Sequence, residues 1–411
     1  PVEGYDRWIS RERAPQPDDG HRRRSRLSRR RIRAVRARAD RSQPCSRWQW
    51  RPCCALGHRL TLRAPPRSTD DASARRSRRE RNQTVDVVQT QHMTRSAEVQ
   101  QRSVTGADGL RLEAYERNIG APQTVLLVHG YPDDHVVWEP VADLLAERFH
   151  VITYDVRGAG GSATPSRVDD YRFDKLSGDV AAVLDACLAD VVDDGSANSR
   201  RVHLVGHDWG SIQGWHFVCD ASLHVDGVSR FASYTSISGP HLDAVGDFFH
   251  RRGPRPPSIP TVVYQGTKSW YVGVFQLPWL APAFWRASFS RRSWPKVLAD
   301  VEGVPAELLP DDAAITRTQA NGANGVNLYR ANMASPIMRP RPAHTNVPVQ
   351  VIVPTHDRYV SPALATASAS IGDDVSIVAV DGGHWLPLTE PALVAALVTG
   401  HISRHPAETS T

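Results

Sequence analysis

Residues 111–116 (Arg-Leu-Glu-Ala-Tyr-Glu) alternate polar and apolar side chains, which predicts a strand with one face toward solvent. Thr124–Val128 is a continuous apolar run, the pattern of a central strand covered on both faces. Helical spacing of Val141, Leu144 and Leu145 predicts a helix over 138–148, followed by a strand at 150–154. A second amphipathic helix is expected over 173–188, and Val202–Val205 reads as a strand entering a glycine-flanked turn. From about residue 99 the order is strand, turn, strand, helix and onward, without internal repeats. Strands alternating with helices predict a mainly parallel sheet flanked by helices.

That rhythm breaks near residue 240. A Pro-, Trp- and Arg-rich stretch of helical pieces runs to about residue 345, after which Val349–Val353 and Val375–Val380 resume strand spacing and 390–402 forms a last helix. The pattern predicts an α/β core in two parts, 93–239 and 346–411, with 240–345 inserted as a helical cap. Such a cap belongs over the strands' C-terminal ends, where open α/β sheets place their sites.

Charge marks off a further segment. Residues 1–81 hold 24 arginines, no lysine and nine acidic residues, leaving 26 basic against 35 acidic groups for the rest of the 411-residue chain. The net charge of +6 therefore describes a basic extension, expected to be disordered over residues 1–92, and the patterned part is acidic, with no global attraction to nucleic acid. A nucleic-acid- or lipid-binding tail, a transit segment and an upstream extension before Met93 are the three readings of that segment; the last is the expectation. Cys45, Cys53, Cys54 and His58 fit no zinc spacing, and Cys187 and Cys219 fall in expected helices as small core residues. This cysteine usage suits a cytoplasmic protein. No apolar run approaches the ~20 residues of a membrane span.

The most telling chemistry lies at Gly206-His207-Asp208-Trp209-Gly210, a G-x-Nu-x-G turn between strand and helix with Asp at its centre. A serine there needs a base before it attacks. A carboxylate is already charged near neutrality, so Asp208 can attack a saturated carbon directly and form an ester. In His129-Gly130-Tyr131-Pro132 the Tyr131 N–H is placed to meet an oxyanion together with the Trp209 N–H. Asp155-Val156-Arg157-Gly158-Ala159-Gly160-Gly161-Ser162 lacks the G-x-G-x-x-G order of a dinucleotide loop. His384, on a glycine-flanked loop after the last strand, stands where a general base would.

In this order the motifs resemble the α/β-hydrolase superfamily, and within it the epoxide-hydrolase and dehalogenase branch, whose elbow carries Asp. The resemblance covers about residues 100–403 and extends to the hydrolase half of actinobacterial EphD-type proteins, in which a short-chain dehydrogenase follows. It implies an α/β-hydrolase fold, with Asp155–Ser162 a structural turn and Asp357 the acid that orients His384; Asp243 is the competing acid position. It also implies that Tyr271 and Tyr329 are lid tyrosines donating hydrogen bonds to an epoxide oxygen, because an opening ring leaves an alkoxide, a poor leaving group unless it is protonated. Trp270, Phe275, Trp279, Phe284 and Trp285 either line an apolar pocket or pack the cap.

The resulting expectation is hydrolysis of an apolar epoxide by water to a vicinal diol through an Asp208 ester, with no metal or organic cofactor required. The alternatives are haloalkane dehalogenation by the same Asp, disfavoured by Tyr131 where such enzymes carry a halide-binding Asn, and a non-catalytic binding protein with a basic tail. Monomer and homodimer both stay open.

Overall fold

A computed structural model of the protein describes residues 98–189, 201–252, 256–281, 283, 285 and 293–407. The basic extension expected over 1–92, with Cys45, Cys53, Cys54 and His58, lies outside the described residues, as does Phe284.

Segments of five to seven residues, apolar over 125–128 and mixed over Gln100–Thr105 and Arg111–Arg117, become strands that share one sheet. The strands are β1 (Gln100–Thr105), β2 (Arg111–Arg117), β3 (Thr124–Val128), β4 (His150–Tyr154), β5 (Val202–His207), β6 (Phe231–Ile237), β7 (Val349–Pro354) and β8 (Val375–Val380). Among the described residues they form an eight-stranded sheet in the order β1-β2-β4-β3-β5-β6-β7-β8. β1 and β2 pair antiparallel, as do β2 and β4; the other pairings are parallel. Leu126 on β3 aligns with Ile152 on β4 and Leu204 on β5.

Period-two alternation along buried β3 divides its side chains between two cores. Leu126 and Val128 pack with helix α2 (Phe173–Cys187) and α3 (Trp209–Cys219) through Val180, Leu184 and Trp215. Val125 and Leu127 pack on the other face with α1 (Glu139–Leu145) through Val141 and Leu145, and with the last helix through Val394 and Val398. Both faces of the sheet are thereby covered, as a parallel sheet requires.

Two local expectations are corrected. β2 is not half-exposed: Glu113 and Glu116 are buried because neighbouring strands supply their partners. Ser103 Oγ and Gln101 Nε2 donate to Glu113 at 2.6 and 3.0 Å, and Arg102 Nε donates to Glu116 at 2.8 Å, with His150 Nε2 3.1 Å away. The helix expected over 138–148 is α1 alone, after a 3₁₀ turn at His135–Trp138 capped by Asp134. Pro140 in its first turn favours this late start.

The Asp155–Ser162 loop is a built turn. Asp155 accepts the His135 N–H at 2.9 Å and the Gly161 N–H at 2.7 Å, while Arg157 grips buried Asp179 with two donors at 2.6 Å each.

Between β6 and β7 come α4 (Leu242–Phe249), α5 (Ile259–Lys268), α6 (Trp270–Phe275) and the long α7 (Asp312–Asn332). Polar contacts tie them to the loops at the sheet's C-terminal edge. Tyr131 Oη donates to the Gly322 carbonyl at 2.7 Å, and Gln265 donates to the Tyr359 carbonyl while accepting the Ser361 N–H, each at 2.9 Å. No helix among the described residues is long and apolar enough to cross a membrane.

Candidate active site

The chain leaves β5 and enters α3 through a single residue. Asp208 has φ 50° and ψ −119°, a conformation that costs a non-glycine residue about 1–3 kcal/mol and persists only when its surroundings impose it. Those surroundings are close. A Cβ on Gly206 would collide with the Gly210 backbone, and one on Gly210 with the Val128 carbonyl, so only glycine at both positions allows the turn. The Asp208 N–H donates to the Ile237 carbonyl at 3.0 Å, and its own carbonyl accepts the Ile212 N–H at 3.0 Å.

The two carboxylate oxygens of Asp208 face different partners. Oδ1 accepts the Tyr131 N–H at 2.7 Å. Oδ2 lies 3.6 Å from His384 Nε2, near but beyond hydrogen-bond range. Trp209 opens α3, so its N–H belongs to the first turn, whose amides have no acceptor within the helix.

His384 Nδ1 is 3.1 Å from Asp357 Oδ2, and Asp357 Oδ1 accepts the N–H groups of Tyr359 and Val360 at 2.7 and 2.9 Å. Burial opposes a charge on His384, but the Asp357 and Asp208 carboxylates outweigh it and hold the imidazole pKa well above its ordinary value. Burial likewise opposes ionised Asp357, yet His384 and the two amides keep that carboxyl below the usual range. Asp243 lies elsewhere, at the start of α4, where it accepts the Arg341 N–H at 2.7 Å.

Tyr271 at the start of α6 and Tyr329 near the end of α7 come from segments far apart in sequence, and their ring centroids are 6.1 Å apart. Tyr329 also packs edge-on against Trp209 and Tyr131. Burial raises the pKa of both phenols; Asp208 adds to this for each, so both stay protonated donors. Asp208, Tyr271, Tyr329 and Tyr359 border two cavities, one of about 440 Å³ that His384, Phe275 and Trp285 also line, and one of about 300 Å³ walled mainly by apolar side chains such as Ile212, Val245 and Met333. Of the aromatic residues expected to line or pack the cap, Phe275 and Trp285 are buried against the larger cavity. Trp270 is mostly exposed at its edge, and Trp279 is exposed and lines neither cavity.

Four neighbours were not legible as site residues. Tyr359 places its ring 4.7 Å from that of His384, and Trp385 Nε1 donates to Asp133 Oδ2 at 3.1 Å. Burial and the adjacent Asp134 raise the Asp133 pKa to about 7, the indole bond notwithstanding. Glu302 lies beside Gly383 with its side chain only 1% exposed; among the described residues its Oε1 has no hydrogen-bond partner, with Arg358 Nε 4.0 Å away, and burial raises its pKa. Adjacency to motif residues was the available signal for the first three: Asp133 follows Pro132, Tyr359 follows Asp357 by two, and Trp385 follows His384. Glu302 had none, because it comes from the inserted segment.

The alpha/beta hydrolase family model matches residues 125–397. The chain is 31% identical over 305 residues to the probable oxidoreductase EphD of Mycobacterium tuberculosis, covering 72% of this chain and 48% of that protein. It is 29% identical over 180 residues to epoxide hydrolase A of the same organism, covering 43% of this chain and 48% of that protein. The chain thus spans about half the length of these curated relatives. Among solved structures it is similar to a Bacillus megaterium epoxide hydrolase bound to an inhibitor, with 21% identity, a TM-score of 0.58, and 74% of this chain and 100% of that one covered. It is also similar to Vigna radiata epoxide hydrolase VrEH1, with 21% identity, a TM-score of 0.55, and 75% and 99% covered. At that identity the likeness speaks for the fold, while the family model spans well over half of the chain: this protein belongs to the alpha/beta hydrolase family.

Proposed function

We propose that the protein hydrolyses an apolar epoxide to a vicinal diol through an ester on Asp208. The observation that carries this reading is the convergence of Asp208, Tyr271 and Tyr329 on the same two cavities, with the His384–Asp357 pair against the second oxygen of Asp208. The carboxylate attacks an epoxide carbon through Oδ2, since Oδ1 is held by the Tyr131 N–H. Tyr271 and Tyr329 donate to the epoxide oxygen as the C–O bond breaks.

His384 then deprotonates a water that attacks Cγ of the ester. The Tyr131 and Trp209 N–H groups receive the oxyanion, Asp357 holds the imidazole's tautomer and orientation, and as the tetrahedral intermediate collapses the imidazolium returns its proton to the departing oxygen, releasing the diol. The names of the relatives, which include epoxide hydrolases, support the same reaction class. The described residues of 240–345 act as the cap of a core formed by the described residues of 93–239 and 346–411, and a cytoplasmic setting suits the free thiols Cys187 and Cys219.

Dehalogenation is disfavoured by Tyr131, whose hydroxyl is committed to the Gly322 carbonyl and offers a halide no amide donor. Single turnover in heavy-oxygen water tests the ester route. The label is expected in the Asp208 carboxylate and absent from the first diol; label in the diol would mean direct attack of water on the epoxide.

A further inference from the structure

Residues 248–299 carry eight Lys or Arg and no Asp or Glu. The remainder of 82–411 has 18 basic and 35 acidic residues, so this basic stretch interrupts an otherwise acidic part of the sequence. Within it, α5 and α6 follow one another across Ser269. Ile259, Val263 and Trp270 recur at helical spacing and are 62, 60 and 61% exposed. Tyr264 beside them is 55% exposed, and Trp279, just beyond α6, is 78% exposed.

This stripe is not what holds the helices down. Gln265 is fully buried on the inner side and makes the bonds to Tyr359 and Ser361. The Lys268 ammonium lies 5.1 Å over the Tyr264 ring, so positive charge borders the apolar surface directly. Trp270 and Lys268 also line the larger cavity, which puts the stripe at that cavity's rim.

Exposed Trp, Tyr and branched aliphatic side chains with Lys268 beside them, in a stretch of sequence without Asp or Glu, match the chemistry of a bilayer interface, where aromatic rings sit at headgroup level and cations meet anionic lipid. We propose that this face docks on the surface of an anionic lipid bilayer. Charge favours that occupant over a second copy of the face or the Arg-rich residues 1–81, both of which bring like charge. With the reaction proposed above, docking sets the rim of the cavity against the lipid from which an apolar epoxide partitions. Vesicle binding is measured without turnover, so failure of one idea leaves the other standing.

The full chain is sedimented with vesicles of phosphatidylcholine mixed with phosphatidylglycerol and with vesicles of phosphatidylcholine alone, at low and high salt. Stronger binding to the mixed vesicles, weakened by salt, is expected. Each of Ile259→Asp and Val263→Asp should lower partitioning by roughly tenfold or more, with unchanged circular dichroism and melting. Binding through the Arg-rich segment is common to all these proteins and cancels in the comparison. As a milder probe, Trp279→Phe should lose part of the tryptophan quenching that brominated lipid produces in the wild type. Equal partitioning of wild type and both Asp variants overturns the proposal, as does quenching unaltered by Trp279→Phe. A solution dimer that the Asp variants split while vesicle binding persists assigns the stripe to self-association and overturns it too.

Discussion

Replacing His384 by Gln should separate the two steps of the proposed ester route. In the structure His384 Nε2 stands 3.6 Å from Asp208 Oδ2, too far for a hydrogen bond, so the carboxylate does not depend on the imidazole to attack. Water does depend on it, because a glutamine amide in the same place has no basic nitrogen. A positioned general base is worth about 10²–10⁴-fold, or about 3–5 kcal/mol of barrier, and the loss should fall on ester hydrolysis alone. Asp357 keeps its two backbone donors at 2.7 and 2.9 Å, which limits rearrangement of the acid loop.

The variant is mixed with an apolar epoxide and followed by intact mass. The expected result is one equivalent of a protein adduct with the epoxide's mass, formed at near wild-type rate and mapped to Asp208, with steady-state turnover down by that factor. Undiminished turnover, or an adduct that persists when Asp208 is also changed to Asn, would refute the two-step reasoning.

Tyr271→Phe and Tyr329→Phe should each lower kcat/KM for an epoxide by about 10²-fold, the lower range for loss of one donor to a developing oxyanion, with binding of the diol product little affected. A full-rate double variant in steady-state assays would remove the lid donors from the mechanism. The Asp357 and Asp208 charges raise the His384 pKa in the free enzyme, so neutralising Asp208 as an ester should lower it. The rate of ester hydrolysis should therefore rise with pH along a limb lying below the free-enzyme titration of His384 seen by NMR, and Asp357→Asn should move the limb to still lower pH with a lower plateau. Arg157→Ala leaves Asp179 buried without its bidentate partner, and should cost about 3–5 kcal/mol of stability in urea denaturation, with the remaining active fraction turning over normally.

Local pattern was enough for the strands and most helices because burial on a sheet imposes a period of two or an unbroken apolar run, and both can be read from consecutive residues. It failed at β2, where alternation reports polarity but not partners: Glu113 and Glu116 are buried because β1 and His150 supply donors from elsewhere. The elbow was legible for a similar reason. Glycines two residues either side of an Asp encode a turn that is set by the backbone, and the structure holds Asp208 in that strained conformation.

The sequence by itself determined the order of elements, the Asp at the centre of the glycine-flanked elbow and the charge division between the basic segments and the acidic core, all of which are local properties. Only the tertiary structure decided that His384 meets Asp357 while Asp243 meets Arg341. It likewise brought Tyr271 and Tyr329 together on cavities shared with Asp208, and left Trp279 outside them. The physical reason is that contacts between loops and inserted helices depend on how separate elements pack in three dimensions, and spacing along a chain carries no measure of that distance.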